Sequence, residues 1–185
     1  MVSFHLQLED YSSALASMRL PFEQGLLNKE GDFRQMTQLL FHEGLPYLSG
    51  KTLSRGLDSG AVAQTVKNLK LLASIWSQAK EFDLAIDTFH RLAELESDTR
   101  WYKQLAQLYF KKKEWSSAIT VLKKISHDHN EPDLRFMLGI AFINTQSFQE
   151  AREVLYELKS EEAYEKRIGQ WLSYIDKVGS HSSST

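Results

Sequence analysis

Apolar residues in this chain recur three or four positions apart rather than in alternation. Runs such as LKLLASIW, KQLAQLYF and LRFMLGIAFI show this spacing, which is typical of helices with one buried face. Only three prolines occur, and Pro132 follows Asn130 at a point where the first turn of a helix tolerates proline. Ser97 and Asp98 are candidate N-caps before TRWYKQL. The pattern therefore predicts an all-α protein.

A short segment occurs twice, as DYSSALASM at residues 10–18 and as EWSSAITVL at residues 114–122. The small residue at its centre recurs along the chain at intervals of 36, 35, 33 and 33 residues, at Ala14, Gly50, Ala85, Ala118 and Ala151. This period predicts helical hairpins that stack on one another, because small residues let two helices approach closely. An aromatic residue stands three positions before each of these small residues, at Tyr11, Tyr47, Phe82, Trp115 and Phe148. Another stands nine positions before each of the last four, at Phe41, Trp76, Tyr109 and Phe142. We expect all of these aromatic residues in the core.

These repeated positions resemble the tetratricopeptide repeat (TPR). The match is closest in residues 66–98, 99–131 and 132–164, whereas the unit at about 31–65 is degenerate, with Thr37 and Gln38 where an apolar and a small residue are expected. The resemblance implies a right-handed α-solenoid of TPR-like helical hairpins with a C-terminal capping helix.

The repeat positions also predict how the chain is organised. We expect one TPR-like domain over residues 1–178, with units at about 1–30, 31–65, 66–98, 99–131 and 132–164, a capping helix at about 163–178, and a disordered tail at 179–185. Counting back from Ala14 places the start of the first helix before Met1, so we expect the natural protein to be longer at this end. Pro21 should kink or shorten its helix.

Composition narrows the possible functions. Lysine and arginine number 22 against 24 aspartate and glutamate, for a formal charge of −2, so the large basic excess of a nucleic-acid or membrane-surface binder is missing. The absence of cysteine excludes disulfides, thiolate zinc sites and cysteine nucleophiles. No apolar run approaches the roughly 20 residues of a membrane-spanning helix. We predict no nucleic acid as partner and no membrane insertion.

Motifs of catalysis are missing from the sequence. It has no glycine-rich phosphate loop, no GxSxG and no HExxH, so we predict neither an enzyme nor a cofactor. His127, Asp128 and His129 form the sharpest metal candidate, in an expected turn between repeats. An HxH without a second ligand pair is weak, and we predict no metal site. Stoichiometric zinc or nickel retained after dialysis would favour the alternative, a metal protein.

A groove is the expected functional feature of such an array, because the first helices of successive hairpins line a concave face. The groove begins basic and polar and ends apolar, which predicts a protein or peptide partner with acidic residues followed by hydrophobic anchors. In the alternative, Phe136, Ile140 and Ile143 pack beneath the C-terminal helix. The predicted partner-binding residues are Lys67, Lys70, Arg100, Lys103, Gln107, Phe110, Phe136, Ile140 and Ile143, and Asp133 falls on the same face.

A finer resemblance rests on longer segments. FEQGLLNKEGDFRQMTQLLFHEGLPYLSGKTLSRGLDSG, AKEFDLAI, AREVL and QWLSYID are similar to gammaproteobacterial TPR proteins encoded beside TonB, ExbB and ExbD genes. This resemblance implies a periplasmic protein whose leader and early repeats lie outside the sequence, linked to TonB-dependent transport. A cytoplasmic location is the alternative. The expected function is a protein-interaction scaffold, and the alternative is a structural repeat protein that self-associates as a homo-oligomer without a separate peptide ligand.

Overall fold

The computed structural model describes residues 11–126, 132–158 and 164–182. The regular structure in these ranges is α-helical throughout, which confirms the predicted all-α fold class. The described helices, numbered in chain order, are α1 (Tyr11–Glu23), α2 (Glu30–His42), α3 (Pro46–Asp58), α4 (Val66–Gln78), α5 (Phe82–Leu95), α6 (Thr99–Lys112), α7 (Trp115–Ser126), α8 (Pro132–Asn144), α9 (Phe148–Glu157) and α10 (Glu165–Ser182). None of them is long and apolar enough to cross a bilayer.

The chain divides into two compact units, residues 1–97 and residues 98–185. In the first unit, α1 packs on α2, and the hairpins α2–α3 and α4–α5 are joined through contacts of α3 with α4. In the second unit, the hairpins α6–α7 and α8–α9 are joined through contacts of α7 with α8, and α10 packs on α9. The single repeat domain over residues 1–178 stays a prediction.

Small residues lie where helices pack closely against each other. Ala85 in the first unit and Ala118 in the second are completely buried. A Cβ added to Gly50 on α3 would lie 2.5 Å from the Trp76 ring on α4, and one added to Gly139 on α8 would lie 2.6 Å from the Leu155 side chain on α9. The helices therefore pack closely at Gly50, Ala85 and Ala118, as the period of small residues predicts.

A common turn ends the first helix of each hairpin. Lys113, after α6, has the left-handed φ of 59°. Its N–H donates to the Phe110 carbonyl at 3.0 Å, and the next N–H, of Glu114, donates to the Tyr109 carbonyl at 2.9 Å. This pair of bonds is the Schellman motif, which supplies donors to carbonyls of the last turn that have no partner within the helix. The same pair of bonds recurs one hairpin apart, at residues Gly44, Lys80, Lys113 and Gln146.

The prediction that the recurring aromatics form the core is largely wrong. Trp76 and Phe142 are buried, but Tyr47 is 46% exposed and the others of the set are half-buried. The five aromatics before the small residues lie at the first or second residue of a helix. A side chain at that position is covered by its neighbours on one side only, which explains the partial exposure.

The first described helix ends as expected from Pro21, whereas the last extends beyond its predicted end. Pro21 lies inside α1, which continues only to Glu23 and is followed by Gly25 with a φ of 74°, so the helix ends soon after the proline. At the other end, α10 extends to Ser182. This end lies four residues beyond position 178, where the sequence places the end of the capping helix.

Candidate partner-binding groove

The second unit contains a cavity of ≈ 520 Å³ between α6, α8 and α10, here named the unit-2 groove. Three helices contribute apolar, aromatic and charged side chains to its wall. The lining residues are Lys103, Gln107, Phe110, Asp133, Phe136, Met137, Ile140, Arg167 and Trp171.

Helical spacing places these side chains on common faces. On α6, Lys103, Gln107 and Phe110 follow one another at intervals of four and three, which aligns them in one stripe along the helix. The opposite face of α6 carries Leu105 and Ala106, both completely buried. Because the core holds that face, the stripe is turned toward the groove.

Helix α8 differs from α6 because it is apolar on most of its surface. Its buried residues are Leu134, Phe136, Leu138, Gly139, Ala141, Phe142 and Ile143. A helix that is apolar all round is buried on most sides. Met137 and Ile140 remain half-buried, and they supply the apolar part of the groove wall.

Phe136 both lines the groove and packs beneath α10. Its side chain is 7% exposed, and the Arg167 guanidinium lies 4.3 Å from its ring centroid. The Tyr164 ring, just before α10, lies 5.6 Å from the same centroid. A cation over an aromatic face is attracted to the ring electrons, so this contact also orients Arg167 at the groove.

The charges of the groove are two cations, Lys103 and Arg167, and one anion, Asp133. The Tyr164 hydroxyl donates a hydrogen bond to the Asp133 carboxylate, which ties this loop residue to the start of α8. The groove thus combines an excess of positive charge with aromatic and aliphatic walls. Such a surface complements a carboxylate that lies beside hydrophobic side chains.

Five of the nine predicted binding residues line the unit-2 groove: Lys103, Gln107, Phe110, Phe136 and Ile140. Lys67 and Lys70 are exposed on α4 of the first unit. Arg100 is not among the lining residues. Its side chain turns back to Asp98, which is the N-cap of α6, and the Arg100 Nε donates to the Asp98 Oδ2 at 2.8 Å. Ile143 is 7% exposed and outside the lining, so the structure makes it a core residue two turns beyond Phe136.

Sequence reasoning missed three lining residues: Met137, Arg167 and Trp171. Met137 lies next to Phe136 and does not fit the strict repeat register. Arg167 and Trp171 belong to the helix that the sequence assigns only to capping. Their spacing of four residues places them on one face of that helix, and this was the signal that could have identified them.

The metal candidate formed by His127, Asp128 and His129 lies outside the described residues. Within residues 11–126, 132–158 and 164–182, no group of three or more histidine, aspartate or glutamate side chains is placed to hold a metal ion.

Comparisons with known proteins identify the fold. No protein-family model matches the chain, and no curated protein matches its sequence. The C-terminal part of a TPR repeat-containing protein from Cytophaga hutchinsonii matches 100% of this chain and 72% of its own, with a TM-score of 0.62 at 13% identity. MamA matches 90% of this chain and 97% of its own, with a TM-score of 0.57 at 17% identity.

A third solved structure is similar to the same degree. YrrB, described as a TPR protein with an unusual peptide-binding site, matches 88% of this chain and 83% of its own, with a TM-score of 0.59 at 13% identity. At these identities the likeness concerns the fold. The chain therefore has the fold of tetratricopeptide-repeat proteins.

Proposed function

We propose that this protein is an interaction scaffold that binds a segment of a partner protein in the unit-2 groove. The observation that carries the proposal is the combination, in one cavity, of the cations Lys103 and Arg167 with the apolar side chains Phe110, Met137 and Ile140. Concave sites with apolar walls and a few placed polar groups are the usual form of binding sites in proteins.

The groove indicates the chemistry of the partner segment. A carboxylate of the segment pairs with Arg167 or Lys103, and charge-assisted bonds of this kind fix the orientation of a ligand. Hydrophobic anchors of the segment pack on Phe110 and Ile140. Met137 has a flexible, polarisable side chain that adapts to anchors of different shape. The Gln107 amide offers a donor and an acceptor to the backbone of the segment.

The fold itself supports a peptide ligand. YrrB, which shares the fold, is described as having a peptide-binding site. In arrays of helical hairpins, the groove formed by successive first helices accommodates a segment of another protein. Helices α6 and α8 are first helices of two successive hairpins in the second unit.

A finer part of the proposal concerns the biological setting. We propose a periplasmic location and a link to TonB-dependent transport, and both rest on the resemblance of segments such as AKEFDLAI and QWLSYID to TPR proteins of TonB gene clusters. Fractionation of cells that express the full-length natural gene tests the compartment. Recovery with the cytoplasmic fraction would overturn this part while leaving the binding proposal intact.

Site-specific photo-crosslinking tests the binding proposal. A photoreactive phenylalanine analogue replaces Gln107, which lines the groove, or Thr120, which is exposed on α7 outside the lining. In the native cell, we expect a covalent adduct from position 107 and none from position 120. Mass spectrometry of the adduct should show a segment with a carboxylate near hydrophobic residues. Equal adducts from both positions, or none from position 107, would overturn the proposal.

Self-association is the second candidate function. It is favoured by two exposed leucines of the first unit, Leu20 on α1 and Leu26 in the bend after that helix, which are 61% and 72% exposed. Extended exposed apolar surface marks sites of association. Sedimentation velocity across a range of concentrations tests it, because a self-associating protein shows a sedimentation coefficient that rises with concentration. A constant coefficient for a monomer would eliminate this candidate.

A further inference from the structure

The first unit has a cavity of its own, of ≈ 490 Å³, between α1, α2 and α3, here named the unit-1 groove. Its polar lining includes Arg19, Glu23, Lys51, Thr52 and Arg55. Its apolar lining is formed by Leu15, Phe22, Met36, Leu40, Leu45 and Leu48. No residue of the unit-2 groove belongs to this site, so binding here is independent of the proposed function of that groove.

Part of the apolar lining is uncovered. Leu45, the N-cap residue of α3, is 41% exposed, and Leu48 on the first turn of that helix is 45% exposed. Phe22, Met36 and Leu40, by contrast, are buried and form the wall beneath. Large apolar side chains that stay exposed at the edge of an apolar cavity are typical of a binding surface rather than of a core.

Two cations flank this apolar surface on one face of α3. Lys51 and Arg55 are four residues apart, so they project from adjacent turns. In the described part of the chain, no carboxylate lies within 4.0 Å of either charged group. The third cation of the groove, Arg19, is different, since its Nε lies 2.9 Å from a carboxylate oxygen of Glu23.

Aromatic rings hold both of these cations in place. The Lys51 Nζ lies 5.7 Å from the Tyr47 ring centroid. The Arg55 guanidinium lies 5.3 Å from the Phe22 centroid and 5.9 Å from the Phe33 centroid. A cation that is already ordered by a ring loses less freedom when it pairs with a ligand. The two positive charges are thus pre-organised beside the exposed leucines.

We propose that the unit-1 groove binds an acidic amphipathic helix of a partner protein. Leucine-type side chains one turn apart on that helix pack on Leu45, Leu48 and Phe22. Glutamate or aspartate side chains beside them pair with Lys51 and Arg55. Among the described residues, Lys51 and Arg55 have no carboxylate partner, and they lie beside an apolar floor. This combination favours a helix, because a helix occupies such a groove with anchors at i and i+4 spacing.

A synthetic peptide serves as the probe. It is designed to be helical, with leucines one turn apart on one face and glutamates beside them, and a matched peptide carries lysines in place of the glutamates. Methyl NMR spectra of the full chain are recorded during titration with each peptide. The methyl groups of Leu45 and Leu48 report on the unit-1 groove, while the methyl group of Met137 reports independently on the unit-2 groove.

Two charge-reversal variants make the test specific. Lys51→Glu reverses an exposed cation of the groove, and Lys124→Glu makes the same change of net charge at an exposed position of the second unit. We expect the acidic peptide to shift the Leu45 and Leu48 methyl signals saturably. Lys51→Glu should weaken this binding at least about ten-fold, because it turns an attraction into a repulsion, whereas Lys124→Glu should leave it unchanged.

Several outcomes would overturn the proposal. One is the absence of saturable shifts at Leu45 and Leu48 with the acidic peptide. Another is an equal response to the lysine peptide or in the Lys51→Glu variant. A third is a Leu48 signal that moves with protein concentration before any peptide is added, since that would show a second copy of the chain on the groove. A response of Met137 alone would support the unit-2 groove and overturn only the binding of a helix in the unit-1 groove.

Discussion

The Ser49 hydroxyl on α3 donates a hydrogen bond to the Thr37 backbone carbonyl on α2 at 2.8 Å. Both residues are buried, with exposed fractions of 0% and 1%. The Thr37 hydroxyl in turn donates to the Phe33 carbonyl at 2.7 Å. Thr37 is one of the residues that make this repeat degenerate in sequence, and here its hydroxyl is satisfied within its own helix. A polar link therefore joins the two helices where the repeat pattern expects an apolar contact.

Replacing Ser49 with alanine should lower the free energy of unfolding by about 0.5–1.5 kcal/mol, the usual net contribution of a hydrogen bond. Urea denaturation measures the loss. Ser54→Ala is the matched control, because the Ser54 hydroxyl donates to Asp58 on the exposed side of the same helix. We expect a smaller loss for the control. A loss for Ser49→Ala no greater than that for Ser54→Ala would contradict the buried link.

Gly50→Ala and Gly169→Ala should change stability in opposite directions. A Cβ at position 50 would meet the buried Trp76 ring, and overpacking of this kind costs about 1–3 kcal/mol. A Cβ at position 169, inside α10, meets no atom within 4 Å, so alanine should stabilise the helix by roughly 0.5–1 kcal/mol. Thermal melts of both variants check the signs. Destabilisation by both substitutions would show that α10 packs differently.

Lys113→Gly should stabilise the second unit. Lys113 has a φ of 59°, a conformation that costs a residue with a Cβ about 1–2 kcal/mol and that glycine adopts freely. Part of that gain is offset because glycine makes the unfolded chain more flexible. Gln104→Gly, in the middle of α6 and exposed, should instead cost about 1 kcal/mol. The two melting temperatures should move apart, and a fall for both would contradict the left-handed turn.

Phe136→Ala should cost about 3–5 kcal/mol, as is usual for a buried aromatic. The reason is that Phe136 is 7% exposed and packs under Arg167 and Tyr164, besides lining the groove. Tyr156→Ala, which truncates an aromatic side chain that is 63% exposed, should stay within about 0.5 kcal/mol. Chemical denaturation of both variants compares them. Similar small losses would mean that α10 does not cover Phe136.

Much of the fold could be predicted from the period of small residues. A small residue is required wherever two helices come close, so the spacing of Gly50, Ala85 and Ala118 already indicates stacked hairpins. The turns between helices could not be predicted in the same way. Lys80, Lys113 and Gln146 adopt the left-handed conformation usually given to glycine, and the Schellman bonds that hold them there are not visible in the residue types.

The candidate site could be predicted only in part. Lys103, Gln107 and Phe110 follow from helical spacing on α6 alone. Arg167 and Trp171 required knowledge of how α10 docks, which depends on tertiary contacts such as that of Arg167 with Phe136. Ile143 has the same apolar character as Ile140, yet one is buried and the other lines the groove. Residue type does not distinguish the two positions, because burial depends on the neighbouring helices.

The central claim is that the unit-2 groove binds a segment of a partner protein. Its most direct test uses the segment identified by photo-crosslinking and measures the affinity of that segment for an Ile140→Glu variant. Ile140 is half-buried in the groove wall, and a carboxylate there removes an apolar contact and repels an acidic ligand. Tyr156→Glu introduces the same charge at an exposed position outside the lining. With both variants folded by circular dichroism, we predict that Ile140→Glu weakens binding about ten-fold or more while Tyr156→Glu binds like the natural protein. Equal affinity of Ile140→Glu and the natural protein would show that the unit-2 groove is not the binding site.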